Sequence, residues 1–77
     1  MASSIKGYNE AARQGKKTAL EYCEKWQKEL KVAGINLAKQ VENKTIGLAA
    51  YNKLRAELNE RTKDLNACIK SINRQFV

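Results

Sequence analysis

The sequence predicts an all-α fold, an antiparallel two-helix hairpin, on three observations: a composition suited to long helices, two apolar stripes at helical spacing, and one short break between them. Proline is absent and glycine occurs only 4 times in 77 residues. Alanine, leucine, lysine, glutamate and glutamine dominate, and these lose little conformational freedom in a helix. A chain this short makes one domain, residues 1–77, and buries too little surface for a large core. A disulfide, a second copy or a partner protein is therefore expected to complete a helical bundle around the hairpin.

Residues 1–8 read as a flexible N-terminus. From Tyr8 onward, Tyr8, Ala12, Gly15, Ala19, Tyr22 and Trp26 alternate steps of four and three, which places them on one face of a helix. Leu30, Ala33, Leu37 and Val41 carry the stripe on with a small phase shift of the kind that relaxes a supercoil. The first helix is expected over 9–43, with Asn9 or Ser4 as N-cap, because either side chain can accept from an unpaired first-turn amide. Gly34 is its weak point, and a break there would give three helices.

The connection is expected at 43–45, where Asn43 tolerates the left-handed conformation that ends helices and Thr45 can cap the next one. The second helix is expected over 46–75. Tyr51, Leu54, Leu58, Leu65, Cys68 and Ile72 occupy its core positions, with Leu48, Ile69 and Phe76 beside them, and Arg61 alone interrupts the seam. Folding the stripes together pairs residues whose numbers sum to roughly 91. Val41 then meets Ala50, Leu37 meets Leu54, Trp26 meets Leu65, Cys23 meets Cys68 and Gly15 meets Phe76. Leu30 opposite Arg61 is the exception, and that arginine is expected to snorkel outward or to pair with Glu57.

Cys23 and Cys68 at one level allow a disulfide across 44 intervening residues, stabilising by about 3 to 4 kcal/mol in the chain-entropy model. The competing reading is two small buried hydrophobes in a reducing compartment. No cofactor is implied. With no histidine and only two cysteines the chain cannot complete a zinc shell, and neither thiol has an imidazole to activate it, so no enzymatic role is expected. Gly15-Lys16-Lys17-Thr18 echoes the end of a phosphate-binding loop, but Glu10 stands where its first glycine belongs and no strand precedes it. Asn43-Lys44-Thr45 has the form of a glycosylation sequon but reads better as a turn.

Two surface patterns remain. Asn52, Asn59, Asn66 and Asn73 recur every seventh residue, forming one row along the second helix with a spacing of about 10.5 Å. Asn52, Asn59 and Asn66, with Leu20, Ile35, Leu48, Ile69 and Phe76, form the candidate partner or oligomer surface. Fifteen basic against eight acidic side chains give a net charge of +7. Hairpin folding gathers Arg13, Lys16, Lys17, Lys70 and Arg74 at the open end as a candidate polyanion site. The i,i+4 pairs Glu21 with Lys25, Glu24 with Lys28 and Glu57 with Arg61 instead suggest ordinary solvated helix faces.

No segment has signal-peptide or membrane-spanning character, so the default location is the cytoplasm. The leading functional expectation is a non-enzymatic protein–protein interaction module, an adaptor, assembly factor or inhibitor of a larger protein, with homodimerisation as one way of completing its bundle. A basic bundle that binds DNA or RNA is the alternative. No small-molecule substrate is inferred, and helical architecture by itself licenses no function.

Overall fold

The computed structural model describes residues 3–76. Among these the chain is all-helical, in the order α1 (Ile5–Arg13), α2 (Lys16–Glu42) and α3 (Leu48–Gln75). The expected first helix is thus divided, but not at Gly34, which lies inside an unbroken α2. The division falls at Gly15, whose φ of 117° and ψ of 173° lie in a region essentially open to glycine alone. Its amide closes α1 on the carbonyl of Ala12 at 3.2 Å, and its carbonyl opens α2 by accepting from the Ala19 amide at 3.1 Å. Gly15 therefore serves as a hinge residue, not as the seam residue that the stripe suggests.

Residues 4–8 also depart from the expected flexible terminus. Ser4 caps α1 by accepting from the Gly7 amide at 3.2 Å, while Asn9 lies within the helix. Folding back at Gly15 supplies Tyr8 and Ala11 with a core, and both are buried. A continuous helix would have carried them past the end of α3, where nothing faces them.

The second connection is longer than expected, and its residues take different parts. Asn43 ends α2 in a helical conformation, and Lys44 adopts the left-handed one at φ 57°. The Thr45 amide reaches back to the Gln40 carbonyl at 2.9 Å and the Lys44 amide to that of Val41 at 3.1 Å, the paired bonds of a Schellman motif. The Thr45 hydroxyl donates to the same Gln40 carbonyl at 3.0 Å, and Gly47 occupies the N-cap of α3.

At 1.5 Å per residue α2 and α3 are each about 40 Å long. The whole molecule measures 45 × 17 × 16 Å, so the two lie alongside each other, and they share the largest interface. α1 packs on both. The core joins Tyr8, Ala19, Cys23, Trp26, Leu65, Cys68 and Ile72, with Ala12, Tyr22, Leu30 and Phe76 packed around it. Trp26 is its largest fully buried side chain, and the Tyr22 ring meets it edge-on at 6.2 Å between centroids.

This core occupies only the half of the molecule that α1 covers. From 31 to 64, Leu37 is the one buried side chain among the described residues. Val32, Ile35, Val41, Leu48 and Leu54 are exposed there, Leu48 to 76%.

Candidate interaction site

The site begins with three residues that fasten the start of α1 to the long helices. The Ser3 amide donates to Glu29 Oε2 on α2 at 3.3 Å, and Arg61 Nη1 on α3 donates to the Ser3 carbonyl at 3.3 Å. Ser3 is itself buried. Hydrogen bonds from Ser3, its hydroxyl foremost, hold the Glu29 carboxyl below the usual glutamate range, with Lys25 adding to the effect. Arg61, the outlier of the α3 seam, thus finds a backbone carbonyl where Glu57 was expected. The only ion pair among the described residues joins Lys63 to Glu60 at 3.6 Å, so none of the three expected i,i+4 pairs forms.

One residue further on, the Ser4 amide donates to Tyr22 Oη at 2.9 Å. The Tyr22 ring lies so close to Gly7 that a Cβ there would collide with its hydroxyl and Cζ. Glycine at this position leaves room for the Tyr22 phenol to reach the Ser4 amide, and a side chain there would have to displace that ring.

Beyond Ser3 the channel between α2 and α3 continues without a third helix. It is a groove of 280 Å³ with Ala33, Leu37, Leu54 and Leu58 as apolar walls, Asn36, Gln40 and Glu57 as polar ones, and Arg61 at the Ser3 end. On its α2 side it passes through Ala33 and Asn36 into a shelf formed by Lys25, Lys28, Glu29 and Val32. On its α3 side it passes through Glu57 and Arg61 into a shelf carrying Lys53, Glu60 and Asp64. Positive charge predominates on the first shelf and carboxylates on the second. A separate, smaller hollow of 220 Å³ shares Leu37 and Leu58 but is edged by Gly34, Ala38, Tyr51, Arg55 and Asn59. There Arg55 donates to Tyr51 Oη at 3.1 Å.

Leu20, Ile35, Leu48 and Ile69 are all exposed, as are Asn52, Asn59 and Asn66, while Phe76 is half-buried against the core. Arg13, Lys16 and Lys17 flank the Gly15 turn, and Lys70 and Arg74 lie in the last turns of α3; all five are exposed.

Cys23 and Cys68 enter the same buried cluster as free thiols, in keeping with the reading of two small buried hydrophobes, and no disulfide joins them. Burial pushes both thiols up, Cys68 to about 11 with help from Cys23 and Asp64. Thiols so protonated act as small hydrophobes, and neither is prepared for nucleophilic attack. Tyr8 Oη and Trp26 Nε1 are buried without a hydrogen-bond partner among the described residues.

The groove is not legible in the sequence because its apolar walls occupy helix seam positions. Two signals pointed to it: Arg61 on an apolar stripe, and residues before 15 that no residue of α3 could face. No group of metal-ligating residues is found among the described residues, and no helix there is long and apolar enough to cross a membrane. Comparison with family models, curated proteins and solved structures finds no match to this chain.

Proposed function

We propose that this chain is a small non-enzymatic protein–protein interaction module, in which α2 and α3 form an antiparallel hairpin whose bare half is completed by a partner. Adaptor, assembly factor and inhibitor are the roles such a module serves. The observation that carries this reading is the uneven coverage of the long helices. α1 makes one half a three-helix bundle, while Val32, Ile35, Val41, Leu48 and Leu54 stay exposed in the other. Two helices alone seldom bury enough apolar surface to stand unsupported, so the half that α1 leaves uncovered has most to gain from association.

The full chain used as bait in extract of its host should retain a partner protein through high-salt washes. The double variant Val32→Glu/Leu48→Glu should lose that partner while keeping the melting temperature of the parent, since neither side chain is part of the core. A bait that stays monomeric by light scattering and retains no protein above the level of that variant rules the reading out.

A nucleic-acid-binding bundle is the second reading, favoured by five exposed basic side chains, Arg13, Lys16, Lys17, Lys70 and Arg74, near the two ends of the chain. Binding through them would weaken steeply with salt, because neutralised phosphates release counterions. A duplex or single-stranded probe whose mobility is unchanged at low salt removes this alternative.

A further inference from the structure

The break at Gly15 interrupts the helix but not the pattern. Tyr8, Ala12 and Gly15 keep the same alternation of four and three as Ala19, Tyr22 and Trp26 beyond it, so a helix running straight through Gly15 would carry all six on one face. A permanent turn imposes no such phase on the segments it joins. The break is also lightly held: Gly15 caps α2 without a side-chain hydrogen bond, and its conformation is one that glycine leaves as readily as it enters. Beneath docked α1, Tyr8 Oη and Trp26 Nε1 are buried without a hydrogen-bond partner among the described residues, so docking leaves two polar groups worse off than water does.

A straight helix over Ile5–Glu42 would be about 57 Å long and would lift α1 off its own chain. α3 ends beside the start of α2, where Phe76 packs on the cluster that holds Ala19, so the lifted α1 meets nothing of its own chain. A second copy supplies what it lacks. The contacts of α1 with α2 join Ser3 to Glu29, and Ser4 and Gly7 to Tyr22, pairs that fall on opposite sides of Gly15 at similar distances along the sequence. Two straight helices running in opposite directions and crossing at Gly15 reproduce those pairs between chains, with Ser3 of one beside Glu29 of the other. Ala11, Ala12, Gly15 and Ala19 then lie about the crossing and are small enough for the helices to approach closely.

We propose that α1 is an exchangeable segment: Gly15 straightens, and two copies trade α1 helices, each placing its own on α2 and α3 of the other. The partner is thus a second copy of this chain, and the interface is the one α1 already makes within a single copy, as domain exchange requires. Continuing the helix through Gly15 adds backbone bonds for the first amides of α2, while the lost freedom of two separate chains opposes the exchange. Charge opposes it as well. Arg13, Lys16 and Lys17 beside the crossing come close to their copies, with Lys70 and Arg74 at the nearby end of α3, and all five are exposed. The exchange is therefore a switch set by concentration and by the screening of these charges. It stands apart from the interaction-module reading, since none of the exposed apolar residues Val32, Ile35, Val41, Leu48 and Leu54 takes part.

Size-exclusion chromatography with light scattering on the full chain at millimolar concentration should show monomer and dimer, with the dimer fraction rising as salt is raised. When equal amounts of isotope-labelled and unlabelled chain are mixed dilute and concentrated together, isotope-filtered nuclear Overhauser effects should join Gly7 of one chain to the Tyr22 ring of the other, a contact that a side-by-side dimer keeps within each chain. Gly15→Ala should raise the association constant at least about tenfold, because alanine resists the closed turn and favours the straight helix. Inserting two glycines after Gly15 should abolish the dimer, since a slack connection lets α1 dock on its own chain and breaks the straight helix. The Trp26 fluorescence of that variant should match the parent's, as α1 stays docked.

A parent chain that stays monomeric at millimolar concentration in high salt overturns the proposal, whatever its variants do. A dimer whose Gly7 to Tyr22 contacts remain within each chain overturns it too, because the second copy then sits on another surface. The same holds for a dimer fraction that falls as salt is raised, or that Gly15→Ala lowers while the variant stays helical by circular dichroism. If Gly15→Ala unfolds, the glycine insertion decides: a dimer that survives it rules the exchange out.

Discussion

Trp26 and Leu48 mark the two extremes of what a single side chain contributes here. Trp26 is 1% exposed and Leu48 is 76% exposed. Trp26→Ala should cost about 3–5 kcal/mol in urea denaturation, because the lost transfer free energy is joined by an uncollapsed cavity. Leu48→Ala should change stability by less than about 0.5 kcal/mol, as at surface positions generally. Gly7→Ala should change stability by less than about 1 kcal/mol, since losing the bond from the Ser4 amide as Tyr22 moves off the new methyl group costs about what alanine gains over glycine within a helix. Two titrations make stability depend on pH. Glu29 is held low in the folded state, so its contribution is present above its ordinary 4.5 and fades as pH falls through the lowered value. Cys68 is held high, so its contribution is complete below 9.0 and is lost as pH rises toward about 11. Thermal melts of Glu29→Gln should therefore decline less below pH 4.5 than those of the parent. Melts of Cys68→Ala, though lower throughout, should decline less between pH 9.0 and 11.

At the scale of the elements, the two connections differ in how well their residues suit the backbone they adopt. Gly15 occupies a conformation that other residues avoid, so Gly15→Ala should weaken α1 docking while leaving the α2–α3 pair helical. Fluorescence of Trp26, which lies beneath that docking site, would report it. Lys44 takes a left-handed conformation without glycine's freedom, at a cost of about 1–2 kcal/mol. Lys44→Gly should accordingly stabilise the protein by about 0.5–1 kcal/mol, part of the relief being offset by a more flexible unfolded chain. A drop in the denaturation midpoint for this variant would show that the Schellman geometry does not govern the end of α2. Much of this level was legible in the periodicity. Helix type and the approximate span of the long helices follow from the stripes at Ala19 to Val41 and Tyr51 to Ile72. The break at Gly15 was not legible from them, because a small residue on a seam and a hinge residue look alike when only spacing is read.

The whole molecule is stable at one end and thinly packed at the other. Its core cluster draws on residues 8–26 and 65–72, whereas residues 31–64 bury only Leu37 among the described residues. Opening free energies follow local burial. Amide hydrogen exchange should therefore be slowest around Cys23, Trp26 and Cys68, and at least about tenfold faster from Val32 to Leu54. Uniform protection along α2 would contradict a bare half. On the proposed interaction reading, the segment with most to gain from a partner is the one that α1 leaves uncovered. Of the candidate site, the exposed Leu48 and the unusual Arg61 were visible in the sequence. The groove was not, since Ala33, Leu37, Leu54 and Leu58 sit at seam positions whether or not a third helix lies over them.

Spacing and composition alone determined that the chain is helical, that α2 and α3 carry apolar stripes able to face each other, and that Cys23 and Cys68 belong to their shared interior. These are local properties, fixed by which side chains recur every third or fourth residue. Only the tertiary structure decided that residues 5–13 fold back as a third helix, that Arg61 closes on the Ser3 carbonyl, and where that helix stops. Those outcomes depend on distances between residues such as Ser3 and Arg61, 58 positions apart, which no periodicity along the chain encodes.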